Sequence, residues 1–450
     1  MNWSCDSSII GGLVNHELTF PLMNATFLRL GAIFTFLMIA LPGCATRPAT
    51  NAATTTATST VQAPAHPSVL LVSIDAFRAD YLDRGLTPTL AHMAHDGAHA
   101  TWMLPSFPSL TFPNHYTLVT GRVPDRNGIV NNTMQDPALG KFSLGNRAAT
   151  SDGRWWAEAE PIWVTAQKQG LHTATMFWPG TEASIHGVRP DHWIPFDDGI
   201  TSKGRVDKLL SWIDEPGPKP AFDTLYFDAV DHAGHEFGPD SPQLNASLGE
   251  VDDALAYLVA ELRRRGLYDG MNIVIVSDHG MAEVPVGNVI FADDEMDLSV
   301  LDGVSYGVVS GFNPKPGKDT SAAVARLLGP HAHMRCYRKE DLPARMDYGK
   351  NPRVPAFLCL ADTGWAITSR DGLAKRSTPM SRGEHGYDNL DPTMRALFIA
   401  HGPSFRHGIT LKPFPNVDVY PLLAHLVGIT PLPNDGHLAD LQPALVPTAP

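Results

Sequence analysis

The spacing of apolar positions changes repeatedly along the chain, and each change marks an element. Residues 68–74 are almost unbroken in their apolarity, as in a strand buried on both faces of a parallel sheet. Residues 87–97 switch to helical spacing and stop at Gly97. Helices are expected over 113–119, closed by Gly121, and over 162–168, with a strand over 173–178. Residues 221–230 and 273–277 read as strands. Between them lies a long helix, 246–264, with Leu248, Val251, Leu255, Leu258, Val259 and Leu262 at helical spacing. Residues 396–400 and 417–427 return to strand and helix. This alternation predicts an α/β fold, a doubly wound and mostly parallel sheet flanked by helices. Residues 286–377 break the rhythm with more Pro and Gly, and a helix over 322–328 sits between strand-like runs. They are expected to form an inserted smaller α+β subdomain, leaving 67–285 and 378–445 to the main domain.

In such sheets ligands bind beyond the carboxyl ends of the strands. Asp75, Asp231 and Asp278 are each expected at that end of their strand. His279 adjoins Asp278, His235 follows Asp231 by four residues, and His385 lies between Gly383 and Gly386. Carboxylate and imidazole together suit Zn²⁺ and similar ions. Three Asp and three His are enough for two ions, which in dinuclear sites sit roughly 4 Å apart and serve an in-line displacement. Taken singly, each has a plainer reading: a turn carboxylate for Asp231, a loop imidazole for His235, a surface side chain for His385. Thr111 precedes Phe112-Pro113 at the start of an expected helix, where it could cap the helix or act as a nucleophile activated by a metal. Asn132 by spacing alone reads as a turn residue.

Composition narrows the partners. The chain has 450 residues, 43% hydrophobic and 18% charged, with a net charge of −13. No basic run is present, so binding of a nucleic-acid duplex is not expected. The four cysteines form no CxxC pair. Residues 30–41 are apolar or small, too few to span a bilayer but suited to a signal-peptide core, with Arg29 before them if translation starts at Met23. Leu41-Pro42-Gly43-Cys44 resembles a lipobox, so residues 1–44 are expected to be a leader, with Cys44 lipidated; ordinary cleavage and free secretion is the alternative. Residues 45–66 are small, polar and Pro-containing, and are expected to be a flexible linker. Export would leave Cys336 and Cys359 as the pair able to form a disulfide; the alternative is two buried thiols.

The motifs SIDAFRADYL, FPSLTFPNHYTLVTGRVPDRNGIVNN, FWPGTEASIHG, DAVDHAGHEFGP, VSDHGM and RGEHGYDN, in this order over about residues 68–428, resemble the nucleotide pyrophosphatase/phosphodiesterase (type I phosphodiesterase) family of the alkaline phosphatase superfamily, in particular its exported bacterial members. The resemblance implies an alkaline-phosphatase-like catalytic domain with two Zn²⁺ per subunit. Asp75, Thr111, Asp278 and His279 would surround one, and Asp231, His235 and His385 the other. Thr111 would attack phosphorus to give a covalent nucleotidyl-threonine that water then hydrolyses. Asn132 and the Thr111 N–H would hold a phosphate oxygen, and Phe112 would face a base. Family members often set a Tyr opposite; here Phe196 in HWIPFDDG takes that place, keeping the stacking surface without the phenol. Phe112 and Phe196 would otherwise be core residues. The expected substrates are nucleotide phosphodiesters and pyrophosphates, such as NTP cleaved to NMP and pyrophosphate. Choline-phosphate lipids and phosphate monoesters are alternatives within the superfamily, although no Arg or Lys near Thr111 favours a doubly charged monoester. A non-catalytic nucleotide-binding surface lipoprotein is the alternative outside it. The expected state is an exported, periplasmic monomer, anchored to the outer membrane if Cys44 is lipidated.

Overall fold

The computed structural model describes residues 66–447; Cys44 and the leader and linker expectations lie outside them. The main sheet has eight strands in the spatial order Ile409–Leu411, Ala98–Ala100, Phe398–His401, Asn272–Val276, Val69–Ile74, Phe222–Phe227, Thr173–Met176 and His192–Trp193. All neighbours pair parallel except Phe398–His401, which runs against both of its partners. Val69–Ile74 is central and wholly buried, and its alternate residues feed two cores. Val69 and Leu71 pack toward the helices Thr111–Thr120, Ile162–Lys168 and Val419–Val427. Leu70, Val72 and Ile74 pack toward Pro88–Asp96, Ser202–Asp214 and Pro242–Arg264. Helices on both faces explain why the strand needs no polar side.

Two of the longer helices depart from the sequence reading, and the short strands Ala98–Ala100, His192–Trp193 and Ile409–Leu411 were not expected either. The strand expected over 221–230 ends at Phe227, and a helix, Ala229–Phe237, begins almost at once. Val230, Ala233, Gly234 and Phe237 are spaced as one helical face, and the first three are buried, so the period had already changed from strand to helix. The helix Ser202–Asp214 was not anticipated, although Val206, Leu209, Leu210 and Ile213 line its buried face and Thr201 caps it by accepting from the Gly204 N–H.

Within 286–377, the strands Leu301–Ser305, Val309–Pro314, Phe357–Ala361 and Met334–Arg338 form an antiparallel sheet in that order. Phe312, Leu327 and Phe357 sit in a core of their own beneath it. Val308, Val309, Tyr348 and Leu358 instead join the main core, and Tyr348 donates to the Val130 carbonyl at 2.7 Å. Cys336 and Cys359 are directly opposed on neighbouring strands and are disulfide-bonded.

Candidate active site

Three adjacent central strands end together. Val69–Ile74 runs into Asp75, and Asn272–Val276 into Ser277, Asp278 and His279. Phe222–Phe227 runs into Asp228 and the helix that carries Asp231 and His235. Asp231 is therefore on a helix and not at a strand end, as the sequence suggested. Its four-residue spacing to His235 is one helical turn, which sets Oδ1 3.5 Å from His235 Nε2. His385 arrives from far along the chain because Gly383–Glu384 pairs antiparallel with Ala282–Glu283, just beyond His279. The rings of His279 and His385 stack with centroids 3.6 Å apart.

Two groups result, Asp75 with Asp278 and His279, and Asp231 with His235 and His385. His279 Nε2 lies 2.9 Å from Asp278 Oδ2 and 3.5 Å from Asp75 Oδ1, and His385 Nε2 lies 3.6 Å from Asp231 Oδ1. The histidine tautomers follow from their other nitrogens. Nδ1 of His235, His279 and His385 each faces a backbone carbonyl, of Gly383 (2.8 Å), Gly280 (2.9 Å) and Ser109 (3.0 Å). A carbonyl only accepts, so each Nδ1 carries a hydrogen, and Nε2 is the nitrogen that each ring turns toward the carboxylates. The oxygens it meets, Asp75 Oδ1, Asp231 Oδ1 and Asp278 Oδ2, are buried and have no hydrogen-bond partner among the described residues. Imidazole nitrogens and carboxylate oxygens brought this close need a proton or a cation between them, and this N/O donor set fits Zn²⁺.

The electrostatics record how crowded the charges are: burial acts to lower His235 and His279, but Asp231 beside the first and Asp278 beside the second override it and raise both imidazoles. Burial, with Asp278 and Asp231 nearby, pushes the Asp75 carboxyl well up, against the opposing hydrogen bond from Tyr226. Burial also acts to raise Asp278, but His279 and His115 override it and hold that carboxyl well below its usual range. Burial and the neighbouring His279 and His235 rings hold His385 well below an ordinary imidazole. A dication is the charge that lets clustered carboxylates ionise together while imidazoles stay neutral.

Thr111 opens the helix Thr111–Thr120 as its first residue, so Leu110 and not Thr111 takes the capping position. The capping reading is thereby corrected: Oγ1 points to the metal-type cluster, 3.3 Å from His279 Nε2. The Thr111 N–H is one of the unpaired donors of a helix start. Asn132 Oδ1 accepts from the Phe112 N–H at 2.9 Å, so its amide is fixed beside Thr111 and is more than a turn residue. From here a cleft of about 400 Å³ opens, lined by Asp75, Thr111, Asp231, Phe112, Phe196 and Tyr226 among others. Phe112 leans on one core, near Phe142 and Trp156, and Phe196 on the other, near Phe177 and Tyr226. Both are only partly buried and stand on different walls of the cleft, so neither is a simple core residue.

Sequence reading overlooked two buried supports. Tyr226 donates to Asp75 Oδ2 at 2.6 Å, and its place in the uniformly buried strand Phe222–Phe227 does not mark it from the sequence. His115 sets Nδ1 2.9 Å from the Thr111 carbonyl and 3.2 Å from Asp278 Oδ2, with Ser73 Oγ against its Nε2 at 2.8 Å. Its four-residue spacing from Thr111 on an expected helix was the available signal.

A doubly wound sheet with two Asp/His groups and a hydroxyl at its carboxyl end defines a metal-dependent hydrolase. The chain belongs to the type I phosphodiesterase / nucleotide pyrophosphatase family, whose model matches residues 69–388. It is 38% identical over 380 residues to an uncharacterised pyrophosphatase/phosphodiesterase of Schizosaccharomyces pombe, covering 82% of this chain and 78% of that one. It is 36% identical to human ectonucleotide pyrophosphatase/phosphodiesterase family member 5, covering 85% and 79%, and 35% identical to the human bis(5'-adenosyl)-triphosphatase ENPP4, covering 84% and 82%. Among solved structures, murine ectonucleotide pyrophosphatase/phosphodiesterase 5 superposes with a TM-score of 0.79 at 36% identity, over 84% of this chain and all of that one. An inactive threonine-to-alanine variant of that enzyme, in complex with AMP, gives 0.80 at 35% identity, with the same coverage.

Proposed function

We propose that the protein hydrolyses nucleotide phosphodiester and pyrophosphate bonds, such as NTP to NMP and pyrophosphate, with two Zn²⁺ ions and a covalent threonine intermediate. The observation that carries this reading is the placing of Thr111 Oγ1 at the edge of one Asp/His group, with the second group beside it and the cleft in front. Asp75, Asp278, His279 and Thr111 would hold one ion, and Asp231, His235 and His385 the other. When bound, the ions would lower the pKa of the attacking hydroxyl and neutralise charge on the transferred phosphoryl group.

The residues of the chain would do the rest. Thr111 Oγ1 forms a bond to phosphorus as the leaving oxygen departs on the opposite face. Water then attacks the same phosphorus, and the Oγ1–phosphorus bond breaks to release the nucleoside monophosphate. The Thr111 N–H and the Asn132 amide hold a non-bridging oxygen as charge builds on it. Phe112 and Phe196 give the base apolar surface on two walls. The AMP bound to the murine relative and the dinucleotide named for the ENPP4 relative support a nucleoside substrate. We further place the mature protein outside the cytoplasm, as an exported protein tethered through Cys44. The Cys336–Cys359 disulfide supports an oxidising compartment.

The test is hydrolysis by zinc-loaded protein of ATP, p-nitrophenyl thymidine 5'-monophosphate and p-nitrophenyl phosphate, with products resolved. AMP with pyrophosphate, and strong preference for the diester, is the expected result. Orthophosphate release with monoester preference would overturn the substrate assignment.

A further inference from the structure

Behind one wall of the cleft lies a guanidinium that the chemistry above does not use. Arg205 is on the helix Ser202–Asp214 and only 3% exposed. Its Nε donates to the Ile200 carbonyl at 2.9 Å and its Nη1 to the Tyr226 carbonyl at 3.0 Å, and Nη1 also lies 2.8 Å from Asp228 Oδ1. A buried charge is tolerated when it is paired in this way. The guanidinium carbon stands 5.1 Å from the Phe177 ring centroid and 5.7 Å from that of Phe196, and the two rings meet edge-on 5.0 Å apart.

Phe177 carries backbone strain. It follows the strand Thr173–Met176 with φ of 60°, the left-handed region that a bulky side chain rarely enters. Such a conformation persists when its surroundings over-determine it, and it clusters at functional sites. Here Thr224 Oγ1 donates to the Phe177 carbonyl at 2.9 Å while Arg205 stands at the ring. Phe196 is tied as tightly: Glu182 accepts its N–H at 2.7 Å and Arg147 donates to its carbonyl. A stacking surface ordered before the ligand arrives binds more tightly because less freedom is lost on association.

We infer that Arg205 is a positioning residue that holds the Phe177–Phe196 wall for the nucleoside part of the substrate, and so sets the preference for nucleoside esters over small diesters. The inference rests on the phosphodiesterase reading above. The test compares wild type, Arg205→Met and Arg205→Lys, each alone and with Phe196→Leu, on p-nitrophenyl thymidine 5'-monophosphate and on methyl p-nitrophenyl phosphate, which has no base. Thymidine 5'-monophosphate binding is measured alongside by calorimetry. Arg205→Met should raise KM for the nucleoside diester roughly tenfold, about one base-stacking contact. Its kcat, and kcat/KM for the methyl ester, should stay within roughly threefold. In the Phe196→Leu background the Arg205 effect should shrink, because the two act through one surface. Arg205→Lys keeps the charge but not the planar fork, and carries the test if the Met variant does not fold. A parallel fall on both substrates would overturn the inference, placing Arg205 instead behind the Asp231–His235 helix through Asp228. So would an unchanged nucleoside KM, or a full-sized effect in the Phe196→Leu background. If wild type cleaves neither diester, the phosphodiesterase reading fails instead, and thymidine monophosphate affinity with and without Arg205→Met decides the wall.

Discussion

The Tyr226 hydroxyl donates to Asp75 Oδ2 at 2.6 Å, and the other oxygen, Oδ1, faces His279 Nε2 with no hydrogen-bond partner among the described residues. One oxygen is anchored so that the other is presented. Outer partners of this kind are worth about 10–100-fold in metal affinity. Tyr226→Phe should therefore weaken zinc by that order in chelator competition and lower kcat/KM at limiting zinc, with recovery at excess zinc. Unchanged zinc affinity would leave Tyr226 a packing residue only.

If Thr111 is the nucleophile as proposed, Thr111→Ala should lose at least about a thousandfold in kcat, because the attacking group is gone and not merely misplaced. Zinc content by metal analysis and the melting temperature should stay near wild type, since six other side chains make up the two groups. Substantial residual turnover would point to direct attack by water.

Asp418 gives a stability test remote from the site. Burial, with Asp440 nearby, pushes its carboxyl up to about 7 against the stabilising N–H of His437. The unfolded value is about 3.9, so the folded state holds this proton more tightly. Its contribution is fully present below about pH 4 and is lost as pH rises through about 7. Asp418→Asn, which keeps an oxygen for His437, should raise the melting temperature relative to wild type more at pH 8 than at pH 5. An equal effect at both values would show that Asp418 is ionised throughout.

The disulfide closes a loop with a sequence separation of 23 residues. Loop entropy alone assigns it about 3 kcal/mol. Replacing Cys336 and Cys359 together by Ala should lower stability by about that amount in denaturant titration. The diester kcat should hold, because the bond lies in the small antiparallel sheet and not at the cleft.

Periodicity carried the main sheet well, because strands buried on both faces leave an unmistakable apolar run, as in Val69–Ile74 and Asn272–Val276. It carried the helix after Phe227 poorly. The change from strand to helix occurs within two residues, so a short window averages the two periods. Asp75 and Asp278 were legible at strand ends, since a carboxylate just after a buried strand has few structural reasons to be there; Asp231 was legible as a ligand type but misplaced. Their partners were not: Tyr226 and Arg205 serve the site with side chains whose value depends on the atoms they reach.

The sequence by itself determined the α/β class, the end of the sheet where the chemistry lies, and the family to which the motifs belong. Tertiary structure decided which atoms meet. Thr111 and His279 are 168 positions apart, and His385 is brought to His279 only by the pairing of Gly383–Glu384 with Ala282–Glu283. Local pattern records period and burial, which each segment can express alone. Convergence of side chains depends on strand register and on helix packing across two cores, and no single segment carries that information.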